Sequence, residues 1–292
     1  MATTAQKPKL VVIVGPTASG KSALSLKIAK EFDGEIICAD SRTVYKGIDI
    51  GTAKPTKQDR AKVKHWGLDL VEPGQRFTAY RFKKYAQAAI SDINSRGKLS
   101  ILVGGTGLYI DSVIFDFGFR DDVNLLKRQK LESLSVLELQ KIIKKAGYKI
   151  PENSQNKRHL IRVIETKGQA GARKSRLPKR VILVGILPSD TEIKGRIESR
   201  IEKNFQGLAL ETAALLNKYL KDRLLTTAGI AYKIAVQFID GEINEERAKE
   251  LIKNAEWQYV RRQKTWFRRN KFIHWFSNAE QASNYIKAQL NT

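Results

Sequence analysis

Residues 9–22 read K-L-V-V-I-V-G-P-T-A-S-G-K-S. The apolar, β-branched run Lys9–Val14 predicts a short buried strand. Gly15–Ser22 fit the pattern G-x-x-x-x-G-K-[ST], and the apolar side chains of the following segment, Ser22–Phe32, predict a helix. A strand, a glycine-containing loop and a helix in this order indicate a P-loop, which binds a polyphosphate or a pyrophosphate. The pattern does not specify a nucleotide.

The residue types of this loop suit an anion. Glycine allows the backbone amides to approach phosphate oxygens, and the N-terminus of the following helix adds a favourable dipole. Lys21 is expected to reach a terminal phosphate, and the hydroxyl of Ser22 is expected to ligate Mg²⁺. The residues expected to hold the phosphates are Gly15, Pro16, Thr17, Ala18, Ser19, Gly20, Lys21 and Ser22.

Three further apolar runs continue the strand pattern. Glu35–Ala39, Leu99–Val103 and Val181–Leu187 each predict a buried strand, and residues 77–95 have the periodicity of a helix. Strands that alternate with helices favour a parallel sheet with helices on both faces. The predicted fold class is therefore α/β, with a P-loop NTPase-like parallel sheet flanked by helices.

The rest of the chain divides into an insertion and a C-terminal region. Asp122–Gly147 is rich in leucine and lysine and predicts helices, and the chain after Ser189 is mostly helical and basic. We predict a core formed by 1–118 and 166–292, which ends in basic helices. A small helical insertion is predicted over 119–165.

The composition indicates a basic protein with an anionic partner. Lys and Arg number 53 and Asp and Glu number 30, so that the formal net charge is +23. This excess favours a polyanion, and a solvated lysine-rich surface is the alternative. The single cysteine, Cys38, excludes an intramolecular disulfide framework. No apolar run approaches the roughly 18 residues of a membrane-spanning helix, and the N-terminus lacks a secretory signal, so we expect a cytoplasmic protein.

Basic residues cluster with aromatic residues near the C-terminus. Between Lys253 and Lys271, seven basic residues stand against one acidic residue, Glu256. Basic segments with aromatic side chains favour RNA over a membrane surface, because exposed bases stack on aromatic rings. The interleaved aromatic residues are Trp257, Tyr259, Trp266 and Phe267.

Two polar residues follow predicted strands, at the edge of the sheet where open parallel sheets bind ligands. Asp40 follows the second strand and is a candidate for a general base, for an outer-shell group of Mg²⁺, or for a cap of the next segment. Thr106 lies within G-G-T-G after the third strand, where a P-loop kinase usually carries an acidic magnesium ligand. The threonine argues weakly against phosphoryl transfer.

Four motifs in a fixed order give a specific resemblance to a known family. They are G-P-T-A-S-G-K-S from Gly15, A-D-S-R-T-V-Y-K-G-I-D-I-G-T-A-K-P from Ala39, G-G-T-G-L-Y from Gly104 and R-R-Q-K-T-W-F-R from Arg261. Together they resemble the tRNA dimethylallyltransferase family, also called tRNA isopentenyltransferases, over about residues 10–276. The resemblance implies transfer of a dimethylallyl group from dimethylallyl diphosphate to N6 of the adenosine 3′ of the tRNA anticodon. It also implies that the P-loop holds the diphosphate, with Mg²⁺ as the cofactor.

The resemblance implies roles for individual residues as well. Asp40 is expected to accept the proton of the adenosine amine, and Thr106 is expected to lie between the amine and the diphosphate. The helical insertion is expected to contact RNA through the segment R-H-L-I-R. The implied RNA contacts are Asp40, Ser41, Arg42, Thr43, Thr106, Arg158, His159, Leu160, Ile161, Arg162, Arg261, Arg262, Gln263, Trp266 and Arg268.

Three other functions stay open on the sequence. A P-loop kinase would consume ATP, and an adenylate isopentenyltransferase would act on a free nucleotide, which needs no basic C-terminal surface. The third is a tRNA-binding module with weakened catalysis, because Ala228 stands where the family carries an arginine beside the diphosphate. We expect tRNA and dimethylallyl diphosphate as partners, no membrane association, and a monomer.

Overall fold

A six-stranded parallel sheet forms the centre of the computed structural model. The structure describes residues 10–119, 125–169 and 174–291. Within these residues, the strands are β1 (Leu10–Val14), β2 (Gly34–Cys38), β3 (His65–Trp66), β4 (Leu99–Gly104), β5 (Val181–Ile186) and β6 (His274–Phe276). Their order in the sheet is β3-β2-β4-β1-β5-β6. Val12 of the inner strand β1 pairs with Leu102 on one side and with Leu183 on the other.

The four strands predicted from the sequence are confirmed as β1, β2, β4 and β5, and each end differs from the prediction by at most one residue. Their apolar runs are nearly all buried because helices cover the sheet. The short strands β3 and β6 were not predicted. They lie at the two edges of the sheet and have only 2 and 3 residues, too few for a recognisable period.

Helices connect the strands and form the C-terminal region. The longest begins with the sequence S-x-x-E, in which the Ser189 hydroxyl accepts a hydrogen bond from the Glu192 amide and the Glu192 carboxylate accepts one from the Ser189 amide. Among the described helices, none is long and apolar enough to cross a membrane. In the described ranges the helices are α1 (Lys21–Glu31), α2 (Lys57–Lys62), α3 (Ala79–Ser95), α4 (Gly107–Ile114), α5 (Leu125–Ser133), α6 (Val136–Lys145), α7 (Lys157–Glu165), α8 (Asp190–Lys218), α9 (Lys221–Thr227), α10 (Ile230–Ile239), α11 (Glu245–Phe267) and α12 (Ala279–Asn291).

The larger compact unit combines the chain up to Ile114 with the chain from Leu177 onward. In one apolar cluster, α1 and α12 pack against one face of the sheet. A second cluster joins α8, α10 and α11, and it includes Val44 and Ile48 from the segment after β2. Both of these side chains are fully buried. The polar, turn-rich segment after β2 is therefore fixed by packing beside the carboxyl ends of the strands.

The smaller compact unit is Phe115–Arg176. Its helices α5, α6 and α7 share an apolar core, and the Lys174 amide donates a hydrogen bond to the Phe115 carbonyl at 2.7 Å. This hydrogen bond joins the two ends of the unit. The unit therefore extends beyond the predicted insertion, 119–165, at both ends.

Helix α7 carries the segment R-H-L-I-R, and the structure corrects part of its predicted role. Leu160 and Ile161 were expected to contact RNA, but their side chains are 0% and 1% exposed in the core of the smaller unit. Arg158 and His159 are exposed, and Arg162 lies 4.0 Å from the Glu165 carboxylate. RNA contact stays a prediction for the two arginines and for His159.

Candidate active site

The P-loop connects β1 to α1 and requires glycine at two positions. Gly15 has a φ of +150°, and a Cβ there would lie 2.4 Å from the Ile186 carbonyl oxygen. Gly20 has a φ of +97° and is the N-cap of α1. Larger residues would be strained at both positions. The loop therefore ends at the N-terminus of α1, where backbone amides favour an anion.

The side chain of Lys21 is hydrogen-bonded to the P-loop. Its Nζ donates hydrogen bonds to the Pro16 carbonyl at 2.5 Å and to the Ser19 hydroxyl at 3.4 Å. Burial lowers the pKa of Lys21 to about 8, while the negative charge of Asp40 raises that pKa and the positive charge of Arg200 lowers it. An anion bound beside Lys21 would favour its charged form.

Asp40 and Thr106 lie just beyond the carboxyl ends of the neighbouring strands β2 and β4. The Thr106 amide donates to the Ala39 carbonyl at 3.2 Å, and the Thr106 hydroxyl accepts from the Ser41 amide at 3.0 Å. One carboxylate oxygen of Asp40 accepts from the Arg42 amide at 2.8 Å. Asp40 thus makes the capping contact that the sequence left open, and it also lines the cavity described next.

One cavity of about 610 Å³ lies against the P-loop and against the segment after β2. It brings together most of the predicted P-loop residues and the predicted RNA contacts Asp40–Thr43. One part of its wall is apolar, with side chains of Ile36, Cys38 and Val103. Thr106, Arg261, Trp266 and Arg268 are not among its lining residues. The charged side chains that line the cavity are Lys21, Asp40, Arg42, Arg200, Glu256 and Arg262.

Helix α11 presents one face to the cavity. Glu256, Tyr259 and Gln263 are spaced by three and four residues, and all three line it. Burial raises the pKa of Tyr259 to about 12, and the charge of Asp40 raises it as well, so that the phenol stays protonated at neutral pH. Neither Tyr259 nor Glu256 was predicted as a site residue. Their helical spacing from Gln263 was the available signal.

Arg200 is a further site residue without a sequence signal. It projects from α8, donates to the Thr17 hydroxyl at 3.4 Å, and forms an ion pair with Glu256. Burial raises the pKa of Glu256, and the charge of Arg200 opposes that effect. The pair places a guanidinium group beside the P-loop. No local motif surrounds Arg200, so only the packing of α8 against α11 reveals it.

Ala228 follows Thr227, whose carbonyl oxygen is bound by the guanidinium group of Arg42. Ala228 is 2% exposed and lines the cavity. Arg42 donates from Nη1 to the carbonyl oxygen of the preceding residue, Thr227, at 2.6 Å. Lys233, the nearby lysine on α10, is exposed and does not line the cavity, so it does not take the place of the expected arginine. Arg42 therefore stands beside the position where the resemblance expects an arginine.

Trp266 and Gln263 were expected to contact RNA, and the structure gives both of them partners inside the protein. The Trp266 indole donates to the Asp111 carboxylate at 2.7 Å, and a Cβ on Gly107 would lie 2.1 Å from its ring. Trp266 thus packs α11 against α4. Gln263 is 5% exposed, and its amide bonds to two other segments. The polar groups of both side chains thus already have partners within the protein, and RNA contact stays a prediction for the two residues.

The basic residues from 253 to 271, on α11 and just after it, divide into two groups. Lys253 pairs with Glu198 and Glu202, and Lys264 pairs with Asp190, so both lysines bind α11 to α8. The arginines of the second group have no carboxylate partner in the described part of the chain. All members of that second group are exposed, and they are Arg261, Arg262, Arg268, Arg269 and Lys271.

The fold and the site define an α/β protein with a P-loop that faces an aspartate across one cavity. A family model described as "IPP transferase" matches residues 43–270. The chain is 37% identical to the tRNA dimethylallyltransferase of Carboxydothermus hydrogenoformans, over 97% of this chain and 96% of that protein. The chain belongs to the IPP transferase family, whose members include the tRNA dimethylallyltransferases.

Two solved structures have the same fold over nearly the whole chain. The tRNA isopentenylpyrophosphate transferase of Bacillus halodurans has a TM-score of 0.72 and 32% identity, and the alignment covers 98% of this chain and 97% of that one. The tRNA delta(2)-isopentenylpyrophosphate transferase of Staphylococcus epidermidis has a TM-score of 0.69 and 35% identity, with 98% and 99% covered. The predicted family resemblance and the predicted fold class are confirmed.

Proposed function

We propose that this protein transfers a dimethylallyl group from dimethylallyl diphosphate to N6 of the adenosine 3′ of the anticodon in tRNA, giving N6-isopentenyladenosine. The observation that carries the proposal is the shared cavity, which Lys21 and Ser22 of the P-loop line together with Asp40. A diphosphate and an acceptor amine can therefore meet in one place. Membership of the IPP transferase family supports this reaction over a kinase or an adenylate-specific enzyme.

The proposed donor fits the two kinds of wall in the cavity. Its diphosphate would lie on the P-loop amides and on Lys21, with Arg200 nearby. Its branched hydrocarbon group would face the apolar wall of Ile36, Cys38 and Val103. The volume of about 610 Å³ is within the usual range for a small-ligand site and leaves room for a flipped base beside the donor.

The proposed reaction makes one bond and breaks one. The bond between C1 of the dimethylallyl group and the diphosphate oxygen breaks, and the oxygen keeps the electron pair. The N6 lone pair forms the new bond to C1, and N6 then loses one proton. Lys21 would stabilise the charge that grows on the leaving group, and the Asp40 carboxylate would accept the proton.

Mg²⁺ is the proposed cofactor, and Ser22 is its proposed protein ligand. Ser22 is exposed at the first turn of α1 and lines the cavity. In the described residues there is no cluster of three or more His, Cys, Asp or Glu side chains that could hold a metal ion. A hydroxyl ligand nevertheless fits Mg²⁺, which binds through few protein ligands together with phosphate oxygens and water. Bound there, the ion would neutralise charge on the departing diphosphate.

The tRNA is proposed to lie along the exposed basic residues at the end of α11. Arg261, Arg262 and Arg268 have no carboxylate partner among the described residues, so their charge is available for phosphates. Arg262 also lines the cavity and lies 5.6 Å from the ring of Tyr259. This position would link the RNA surface to the proposed base pocket.

The test is incubation of the protein with dimethylallyl diphosphate, Mg²⁺ and an unmodified tRNA that has adjacent adenosines 3′ of the anticodon. Nucleoside mass analysis should show adenosine carrying one dimethylallyl group. Two parallel reactions separate the alternatives: ATP replaces the diphosphate in one, and adenosine monophosphate replaces the tRNA in the other. The proposal would be contradicted if the tRNA remained unmodified after the reaction, or if adenosine monophosphate reacted faster than tRNA.

A further inference from the structure

Gln263 connects two loops that lie far apart in the sequence. Its side-chain oxygen accepts a hydrogen bond from the Thr17 amide of the P-loop at 2.9 Å. Its side-chain nitrogen donates to the Gly105 carbonyl, in the turn after β4, at 3.0 Å. Gln263 is only 5% exposed. The oxygen and the nitrogen of one buried side-chain amide therefore join the P-loop to the turn that carries Thr106.

The turn after β4 approaches this amide closely. A Cβ added to Gly105 would lie 2.1 Å from the Gln263 nitrogen and 3.5 Å from the Gly15 carbonyl oxygen. The turn after β4 thus lies against the P-loop with the Gln263 amide beside it. A side chain at position 105 would displace the Gln263 amide from its present position.

We propose that Gln263 is a positioning residue that fixes the distance between the P-loop and the Thr106 turn. The inference rests on the proposed function, in which the P-loop holds the donor while Asp40 and Thr106 hold the acceptor. Bond formation needs the reacting atoms about 3–3.5 Å apart, and a displacement of about 1 Å reduces the rate by about 10²-fold. The two loops follow the paired strands β1 and β4, and beyond the last paired residues the Gln263 amide joins the loops through hydrogen bonds to Thr17 and Gly105.

The hydrogen bonds of Gln263 predict how three variants will differ. Gln263→Met has a similar shape and removes both bonds. Gln263→Glu keeps an acceptor for the Thr17 amide but sets a carboxylate against the Gly105 carbonyl. Gly105→Ala keeps Gln263 but pushes its amide away. Gln258→Met is the matched control, because Gln258 is exposed on the same helix and does not line the cavity.

The first measurement separates turnover from binding. Gln263→Met should lower kcat by about 10²-fold. It should leave KM for dimethylallyl diphosphate and for tRNA within about twofold, because the groups that bind each substrate are retained. Gln263→Glu and Gly105→Ala should each lower kcat, and Gln258→Met should behave as wild type. A wild-type kcat in Gln263→Met would overturn the proposal. So would a fall in kcat accompanied by a rise of similar size in both KM values.

The second measurement needs no activity. Hydrogen–deuterium exchange should become faster in Gln263→Met for the peptides that cover residues 15–22 and 104–107, and it should stay unchanged in Gln258→Met. Unchanged exchange at both peptides would refute the proposed connection even if kcat fell. If the wild-type protein transferred no group to tRNA, the proposed function would fail, whereas faster exchange in Gln263→Met would still support the connection.

Discussion

The two groups of basic residues between 253 and 271 should differ in their effect on tRNA binding. Arg261 and Arg262 are exposed and have no carboxylate partner among the described residues, whereas Lys253 and Lys264 are paired with acids of α8. Replacing both arginines by glutamine should remove two phosphate contacts. Each contact contributes about 0.7–0.9 to the slope of log K against log salt concentration, so the double variant should flatten the slope by about 1.4–1.8.

The matched control is the double variant Lys253→Gln with Lys264→Gln, which removes the same formal charge from the same helix. These lysines already neutralise Glu198, Glu202 and Asp190, so we expect the slope to change by less than about 0.5. Partly exposed ion pairs of this kind contribute about 0–1 kcal/mol each to the free energy of unfolding, and the control should therefore fold.

The assay is binding of unmodified tRNA, measured by fluorescence anisotropy over a series of KCl concentrations. The arginine variant should lose most affinity at low salt and approach the wild type at high salt. An unchanged slope in the arginine variant would refute the interpretation. Equal flattening in both double variants would show that total charge, rather than the unpaired arginines, determines binding.

Three further predictions concern the cavity. Asp40→Asn should leave tRNA affinity unchanged and lower the single-turnover rate by about 10²–10⁴-fold, as for loss of a general base; a wild-type rate would leave Asp40 only its contact with the Arg42 amide. The value of kcat/KM for dimethylallyl diphosphate should fall as the pH rises above about 8, because the lowered pKa of Lys21 makes it lose its charge there, and a flat profile would argue against this role. Ala228→Arg should lower the free energy of unfolding by about 1–3 kcal/mol, since Ala228 is 2% exposed and Arg42 occupies the adjoining turn; denaturant titration measures the change, and an unaltered midpoint would contradict it.

The features that the sequence predicts well are local ones. The P-loop follows from eight consecutive residues, Gly15–Ser22, and the inner strands follow from apolar runs that only a covered parallel sheet buries on both faces. The position of Asp40 next to the P-loop follows from topology, because the carboxyl ends of parallel strands lie at one edge of the sheet.

The features that the sequence does not predict depend on long-range contacts. Gln263 bonds to Thr17 and Gly105, which are 246 and 158 residues away, and no local pattern distinguishes this glutamine from an exposed one. Arg200 enters the site for the same reason, through the packing of one long helix on another. Leu160 and Ile161 are different, because their apolar spacing with Ile164 already indicates the buried face of a helix.

In the proposed function, one cavity holds both the diphosphate donor and an adenosine of tRNA. The most direct measurement is the ratio of pyrophosphate released to dimethylallyl-adenosine formed, in one reaction with dimethylallyl diphosphate, Mg²⁺ and unmodified tRNA, without ATP. We expect equal amounts of both products, with the group on the adenosine 3′ of the anticodon. Pyrophosphate release without modified adenosine, or a modified base elsewhere in the tRNA, would contradict it.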